Sequence, residues 1–434
     1  MRVLEEVKSR QYRRDELVDI LTQYNQSIGN DECAIENIQR LKHMDSVCVF
    51  TGQQLGFMGG PAYTFYKAIG CLQHAKQLGA IPIFWLATED HDIAEIDHTY
   101  TVDDMGNMQK HKITLPIEGV VEDLVLTSRN VDEITSFCQQ TGVDLSEVSF
   151  SAGDSYSGVM ARLFTALFRG TGLVFVEPHL IRYQAEELFV REIKNHQEIY
   201  NLLTRHTRQM QLSGLPTPIE FVENGTNLFY KDDRNRRLKV KKDQEGFLLG
   251  DLKFNESELI ELLHNDPSLF SGNVALRPII QSYVFPTVAY VAGPTEVDYF
   301  QQLQEIFRYH DVPEPEVVPR PSITLLNDES DYYLNRIGLQ PYSEIPNDWG
   351  QIFSDFAHKD KKEVKGLLEN KGVPYYALHY LKNYLRPFNG PQERSLNWLW
   401  LNAQSQGSIV KRVLSQEPFS SKIHYHININ EPKR

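Results

Sequence analysis

Cysteine is scarce in this sequence: four residues in 434, at Cys33, Cys48, Cys71 and Cys138. Their spacings fit neither a disulfide framework nor a zinc knuckle, so free thiols in a reducing compartment are expected. None stands at a spacing from His or Asp that would mark a nucleophile. No run of eighteen apolar residues exists, which excludes an apolar membrane-spanning helix. The opening stretch MRVLEEVKSRQYRRDELVDILTQY mixes charges without an apolar centre, so it does not read as a signal peptide and a cytoplasmic location is expected. Basic residues are outnumbered, 44 against 58, for a net charge of −14. That balance argues against nucleic acid as the main partner and against an anionic membrane surface. Low-complexity tracts, internal repeats, a GxGxxG fingerprint and a Gly-Lys-Ser/Thr phosphate loop are all missing.

What is present is globular. Hydrophobic residues make up 41% and aromatic residues 11% of a chain long enough for two or three domains. Residues 1–44 read as polar helix. Residues 46–50 (SVCVF) read as a buried strand that enters the turn TGQQLGFMGGP. A helix over about 62–78 and a second apolar strand at 81–87 complete a βαβ unit. The pattern returns with a helix over 157–169 and strands at 172–176, 287–292 and 316–319. Continuous apolar strands separated by helices predict an α/β fold with a doubly wound parallel sheet. Residues 99–155 and 212–284 break the rhythm and read as insertions. The first is turn-rich with short strands, and the second holds a hairpin from 227–230 to 237–241. Two helices over 348–386, broken near Gly372, a helix over 391–415 and an edge strand at 423–427 follow.

Polar segments stand directly after the apolar runs. In an open parallel sheet the strand C-termini share one edge, so these segments are expected to meet in one crevice. The first contributes Gly52, Gln53, Gln54, Gly56 and Gly59. Its glycines allow close backbone approach, and the helix it opens would favour an anion. The alternative is a turn with glycines for packing only. The second contributes Glu89, Asp90, His91 and Asp92. Histidine is the side chain best suited to proton transfer near neutral pH, so His91 is the candidate acid or base. A solvated loop capped by Asp92, a structural carboxylate–histidine pair and, more remotely, a divalent metal site are the competing readings. The third is Glu177-Pro178-His179. The fourth contributes Gly293 and Glu296, and the fifth Arg320, held between two prolines. Arg277 is a candidate carboxylate or phosphate clamp, or a structural ion pair. The basic run from Arg234 to Lys242 reads as the exposed face of a hairpin, with contact to a nucleotide phosphate as the alternative. His424 and His426 read as a surface strand rather than a metal site.

The blocks TGQQLGFMGGPAYTFYKAI, IPIFWLATEDHDIAEID, NVALRPIIQSYVFPTVAYVAGPTEVDYF, VVPRPSIT and GPQERSLNWLW, in this order, resemble the bacillithiol biosynthesis cysteine-adding family. The resemblance is nearly continuous over 47–325 and resumes at about 386. It implies a Rossmann-like core similar to nucleotidylyltransferases and class I aminoacyl-tRNA synthetases, interrupted by two connective-peptide insertions. The implied segments are a helical leader (1–44), core parts at 45–98, 156–211 and 285–326, insertions at 99–155 and 212–284, a helical arm (327–386) and a C-terminal helix and strand (387–434). The implied activity joins L-cysteine to the amine of glucosaminyl malate, with ATP or ADP, possible Mg and no organic cofactor. His91, with Glu89, Asp90 and Asp92, would be catalytic. Arg277 and Arg320 would clamp the malyl carboxylates. The other readings are a related ligase acting on another amine or thiol, and a non-catalytic member of the family. Relatives usually carry a longer leader and a long antiparallel coiled coil. Here residues 327–385 are too few for such an arm and lack sustained heptads, so a short helical cap and a monomer or weak homodimer are expected.

Overall fold

The computed structural model describes residues 2–337, 366, 368–370, 373, 376–385, 392–404, 409–414 and 424–428. The polar leader forms three helices, Arg2–Ser9, Arg14–Ser27 and Glu32–Arg40. The first apolar run then becomes β1 (Cys48–Gln53). Helix Tyr63–Leu78 follows and stops at Gly79, whose left-handed φ of +63° a side chain would resist. The next run is β2 (Ile81–Leu86), buried along its whole length. A hairpin of β3 (His98–Val102) and β4 (Met108–Lys112) and helix Ser128–Thr141 fill the first irregular stretch. That helix is a finding, because its polar surface obscured the period: only Asn130, Ile134, Phe137 and Thr141 are buried.

Helix Tyr156–Leu167 leads to β5 (Val174–Val176). The second irregular stretch holds β6 (Gly225–Lys231), β7 (Arg237–Lys242), β8 (Phe247–Leu249), β9 (Leu252–Phe254) and β10 (Phe270–Gly272). They form a separate five-stranded sheet in the order β10-β6-β7-β8-β9, every neighbouring pair antiparallel. Helix Arg277–Val284 returns the chain to the core through β11 (Thr287–Ala292), helix Pro294–Gln302 and β12 (Glu316–Pro319).

The core sheet runs β12-β11-β1-β2-β5, parallel at every pairing. In chain order its strands lie 3-2-1-4-5, the Rossmann arrangement, and the winding reverses between β1 and β11. Side chains alternate between two cores. Ile81, Ile83 and Trp85 face Leu17, Leu188 and Phe300, whereas Phe84 and Leu86 face Phe65, Phe164 and Trp398. Helices therefore cover both faces, as a doubly wound sheet requires. Phe65 stacks on Trp398 at 4.2 Å and on Phe164 at 5.2 Å. Truncating it to Ala would cost about 3–5 kcal/mol by the usual large-to-small rule.

The five core strands fall where the apolar runs predicted them. The tail differs. β13 (Ser322–Leu326) follows β12 almost at once and pairs in parallel with β14 (His424–Asn428), so the C-terminal strand docks on a partner that the sequence hid behind Arg320 and Pro321. Helix Tyr376–Leu385 lays Tyr380 and Tyr384 into the chain's own core. Its Asn383 amide donates to the Gly106 carbonyl at 2.7 Å. Most of the expected helical arm, including 348–365, lies outside the described residues. Among the described residues no helix is long and apolar enough to cross a membrane.

Candidate active site

The cleft lies at the reversal point, above the C-terminal ends of β1, β2 and β11. Its volume is about 240 Å³, and Gly52, Gln53, Gln54, Glu89, Asp90, Glu95, Arg237, Arg277 and Glu296 are among the residues that line it. The expectation that segments distant in sequence meet on one edge is met for the first, second and fourth turns.

Gly52 is required by the sheet: a Cβ there would sit 2.9 Å from the Cβ of Trp85 on the neighbouring strand. Gln54 reaches across and donates to Asp90 at 2.5 Å. Gln53 accepts from Lys67 at 3.0 Å. Beyond Gln54 the turn leaves the cleft. Gly56 packs on Gly60, and Gly59 faces Phe65 and Leu163. The start of helix Tyr63–Leu78 sits under the C-terminal segment, where Ala62 N–H donates to the Leu396 carbonyl at 3.0 Å. The Asn397 amide also holds the Met58 carbonyl at 2.9 Å. The glycine-rich turn thus brings two strand-end residues and Gln54 to the site, not the helix N-terminus that its composition suggested.

Lys67 was not singled out from the sequence, although it lies inside the first block. It is buried, donates to the Gly52 carbonyl at 2.8 Å and pairs with Glu296. Glu296 also accepts from Tyr290 at 2.8 Å and from the Gly293 N–H at 2.6 Å, which caps helix Pro294–Gln302. Burial opposes ionisation of Glu296, but the Lys67 ammonium and the Gly293 N–H prevail and hold its carboxyl below the ordinary range. This pair ties the first and fourth turns together.

In the second segment the roles divide. Glu89 is buried on the cleft wall, and burial pushes its carboxyl above the ordinary range despite the pull of Arg237 and Arg182. Asp90 is the hub of the turn. It accepts from Gln54 and from the backbone N–H groups of His91 at 2.7 Å and Asp92 at 3.3 Å. Glu95 is raised by burial and by Asp92 and Asp90. His91 is half exposed and not among the lining residues, with Nδ1 3.6 Å from Asp90, which is. Asp92 is exposed and makes no side-chain cap on the short helix Ile93–Ile96. Among the described residues no group of three or more His, Cys, Asp or Glu side chains is placed to hold a metal ion.

The two arginines proposed as clamps part company. Arg277 lines the cleft, bonded to the Tyr299 hydroxyl at 3.0 Å and lying over the Tyr290 ring. Arg320 is buried in an ion pair with Glu393 at 2.8 Å and is not among the lining residues. The basic hairpin is not wholly an exposed face: Arg237 turns inward to the cleft. Only its place on the inward side of a strand could have revealed it, and the register of that strand depends on the second sheet. Glu177 and His179 also lie off the lining, with Glu177 accepting from Tyr24 at 2.7 Å.

A larger hollow of about 1040 Å³ lies away from this edge, between helix Tyr63–Leu78 and the C-terminal helices. Of its cations Arg40, Lys76 and Arg169, the two arginines are engaged by Asn37 and Glu147.

A Rossmann-ordered sheet with a mixed-charge cleft at its reversal defines a Rossmann-like protein built to hold a small polar ligand. The family model for the bacillithiol biosynthesis BshC N-terminal Rossmann-like domain matches residues 1–321, and the chain belongs to that family. BshC of Bacillus cytotoxicus is 29% identical, with 95% of this chain and 81% of its own length aligned. BshC of Geobacillus thermodenitrificans is 32% identical over 77% of this chain and 66% of its own. BshC of Chloroherpeton thalassium is 32% identical over 74% and 61%. These relatives carry a name that assigns them as cysteine ligases. The chain spans about two thirds or less of the last two.

Proposed function

We propose that this protein is a cysteine ligase of bacillithiol synthesis, joining the carboxyl of L-cysteine to the amine of glucosaminyl malate. The observation that carries the reading, beside family membership, is the cleft itself: carboxylates and guanidiniums converge where a ligand bearing both signs of charge would lie. A carboxylate and an amine do not condense unaided at neutral pH, and ATP supplies the activation when bound. The backbone donors of the glycine turn at Gly52 are the groups suited to its anionic oxygens.

The chain's own residues then have distinct tasks. Lys67 and Glu296 fix the Gly52–Gln53 strand end against the Gly293 turn. Arg277 takes a carboxylate of the acceptor. His91, next to the lining residue Asp90, takes the proton that the amine loses as the C–N bond forms. Incubation with L-cysteine, glucosaminyl malate, ATP and magnesium, followed by mass detection, tests the reading. A product of bacillithiol mass is expected. Its absence from folded protein that still binds both substrates would overturn the ligase assignment.

A further inference from the structure

Glu89 differs from the other carboxylates that line the cleft. Asp90 and Glu95 meet Gln54, and Glu296 meets Lys67. Glu89 is 6% exposed, and among the described residues neither a hydrogen bond nor an ion pair holds its carboxyl. Its surroundings are built by Glu122, from the first insertion. The Val121 N–H donates to the Asp90 carbonyl at 3.0 Å and the Glu122 N–H to the Thr88 carbonyl at 2.9 Å. Those two carbonyls belong to the residues on either side of Glu89, so this backbone fixes the turn that carries it. The Glu122 carboxylate meanwhile takes both Nη atoms of Arg182, at 2.9 and 2.7 Å, and the Nζ of Lys231 at 3.0 Å. Arg182 stands in the turn after β5, and Lys231 is the last residue of β6. Burial opposes ionisation of Glu122, but Arg182 and Lys231 prevail and hold its carboxyl below the ordinary range. A two-pronged pair of this kind fixes the guanidinium in direction as well as in charge.

We propose that Glu122 is a positioning residue for Glu89: its backbone sets the turn, and its carboxylate occupies Arg182, which leaves the Glu89 carboxyl for an amine of the ligand. Arg182 is 5% exposed, and a guanidinium so buried requires a carboxylate. Deprived of Glu122, it would turn its charge on Glu89. The charged groups that act on Glu89 come from four elements: Arg237 on β7, Arg182 after β5, Glu122 in the first insertion and Arg277 on the helix that re-enters the core. Burial raises its carboxyl, the three guanidiniums oppose that, and Glu122 adds to it. Glu122 and Arg182 thus act on Glu89 with opposite signs and cancel while they are paired. The inference rests on the ligase reading only for the ligand, since L-cysteine and the acceptor each carry an amine.

Titration of the Glu89 carboxyl in the full chain, by NMR of side-chain-labelled glutamate with Glu89→Gln to assign the signal, tests this. Glu122→Gln should lower the Glu89 midpoint by about one pH unit, and Arg182→Met should raise it by a similar amount. The double variant Glu122→Gln with Arg182→Met removes both charges and should return the midpoint close to that of the wild type. A turn that merely loosened would relieve the burial of Glu89 and lower its midpoint in both single variants alike. Shifts of the same direction in the two, or no shift in either, overturn the proposal. Arg182→Met leaves Glu122 its Lys231 partner, so a failure of Glu122→Gln to fold still leaves Arg182→Met and the double variant to decide. The titration needs no turnover. Opposite shifts without amide formation sink the ligase reading alone, and amide formation with an unmoved Glu89 sinks this role of Glu122 alone.

Discussion

Arg320 and Glu393 meet at 2.8 Å with side chains only 6% and 4% exposed, joining the end of the Rossmann core to the C-terminal segment. Glu393 also accepts from the Ile323 N–H at 2.9 Å, at the start of β13. Removing one member leaves the other charge buried without a partner. Arg320→Ala or Glu393→Ala is therefore expected to cost about 3–5 kcal/mol of stability in denaturant unfolding. The double replacement Arg320→Met with Glu393→Leu should cost far less. If Arg320→Ala instead weakened acceptor binding at unchanged stability, the residue would return to the site.

This pair shows where reading the sequence stops. The five core strands were legible because each is a continuous apolar run, and the polar residues after β1, β2 and β11 were legible because strand ends share an edge. Whether an arginine at such an end points into the cleft depends on partners elsewhere in the chain. Arg320 is claimed by a residue in a block read only as a family signature. Arg237 enters the cleft because β7 sits in a second sheet whose register no local pattern announced. Lys67 looked like an ordinary helix residue, since nothing nearby in sequence reveals Glu296.

The Lys67–Glu296 pair predicts an acid-sensitive fold. The Glu296 carboxyl titrates below its ordinary value in the folded state. Its stabilisation is therefore fully present above the unfolded value of about 4.3 and lost as pH falls through the folded value. Urea midpoints measured from pH 6 downward should fall more steeply for the wild type than for Glu296→Gln below about pH 4.3. Parallel curves would show that the pair does not set the acid limit.

Gly52 and Gly56 should fail under substitution for steric reasons at different places. A Cβ at Gly52 meets Trp85 at 2.9 Å, and one at Gly56 meets the Gly60 Cα at 2.9 Å. Each Gly→Ala change is expected to cost about 1–3 kcal/mol through forced backbone shifts. Gly52→Ala should also weaken ligand binding, because Gly52 lines the cleft, whereas Gly56→Ala should spare it. Thermal melts with and without substrate distinguish the two. Equal loss of binding in both would place the whole turn at the ligand.

His91 and Glu89 can be separated by stability as well as by rate. The His91 side chain is half exposed, so His91→Ala should leave the unfolding midpoint within error while lowering ligation about 10²–10⁴-fold. Glu89 is raised by burial, so its ionisation works against the fold: this contribution is absent below the unfolded value of about 4.3 and grows as pH rises through the folded one. Glu89→Gln should raise the melting temperature by about 1–3 °C at pH 7.5 and not at pH 4, while reducing activity. An active Glu89→Gln enzyme would take this carboxylate out of the chemistry.

The aromatic residues of helix Tyr376–Leu385 predict the state of association. Tyr380 is 3% exposed, its hydroxyl takes the Asn327 amide at 2.7 Å, and its ring stacks on Tyr384 at 5.5 Å. These side chains are used up inside one chain, with Tyr376 left partly exposed at the helix start. Tyr380→Ala should therefore destabilise the protein by about 3 kcal/mol or more, as loss of a buried aromatic does. Tyr376→Ser should change little. Light scattering at micromolar concentration should report a monomer or weak dimer for the wild type and for Tyr376→Ser alike. A tight dimer dispersed by Tyr376→Ser, with no change in unfolding midpoint, would instead make this helix a contact between chains.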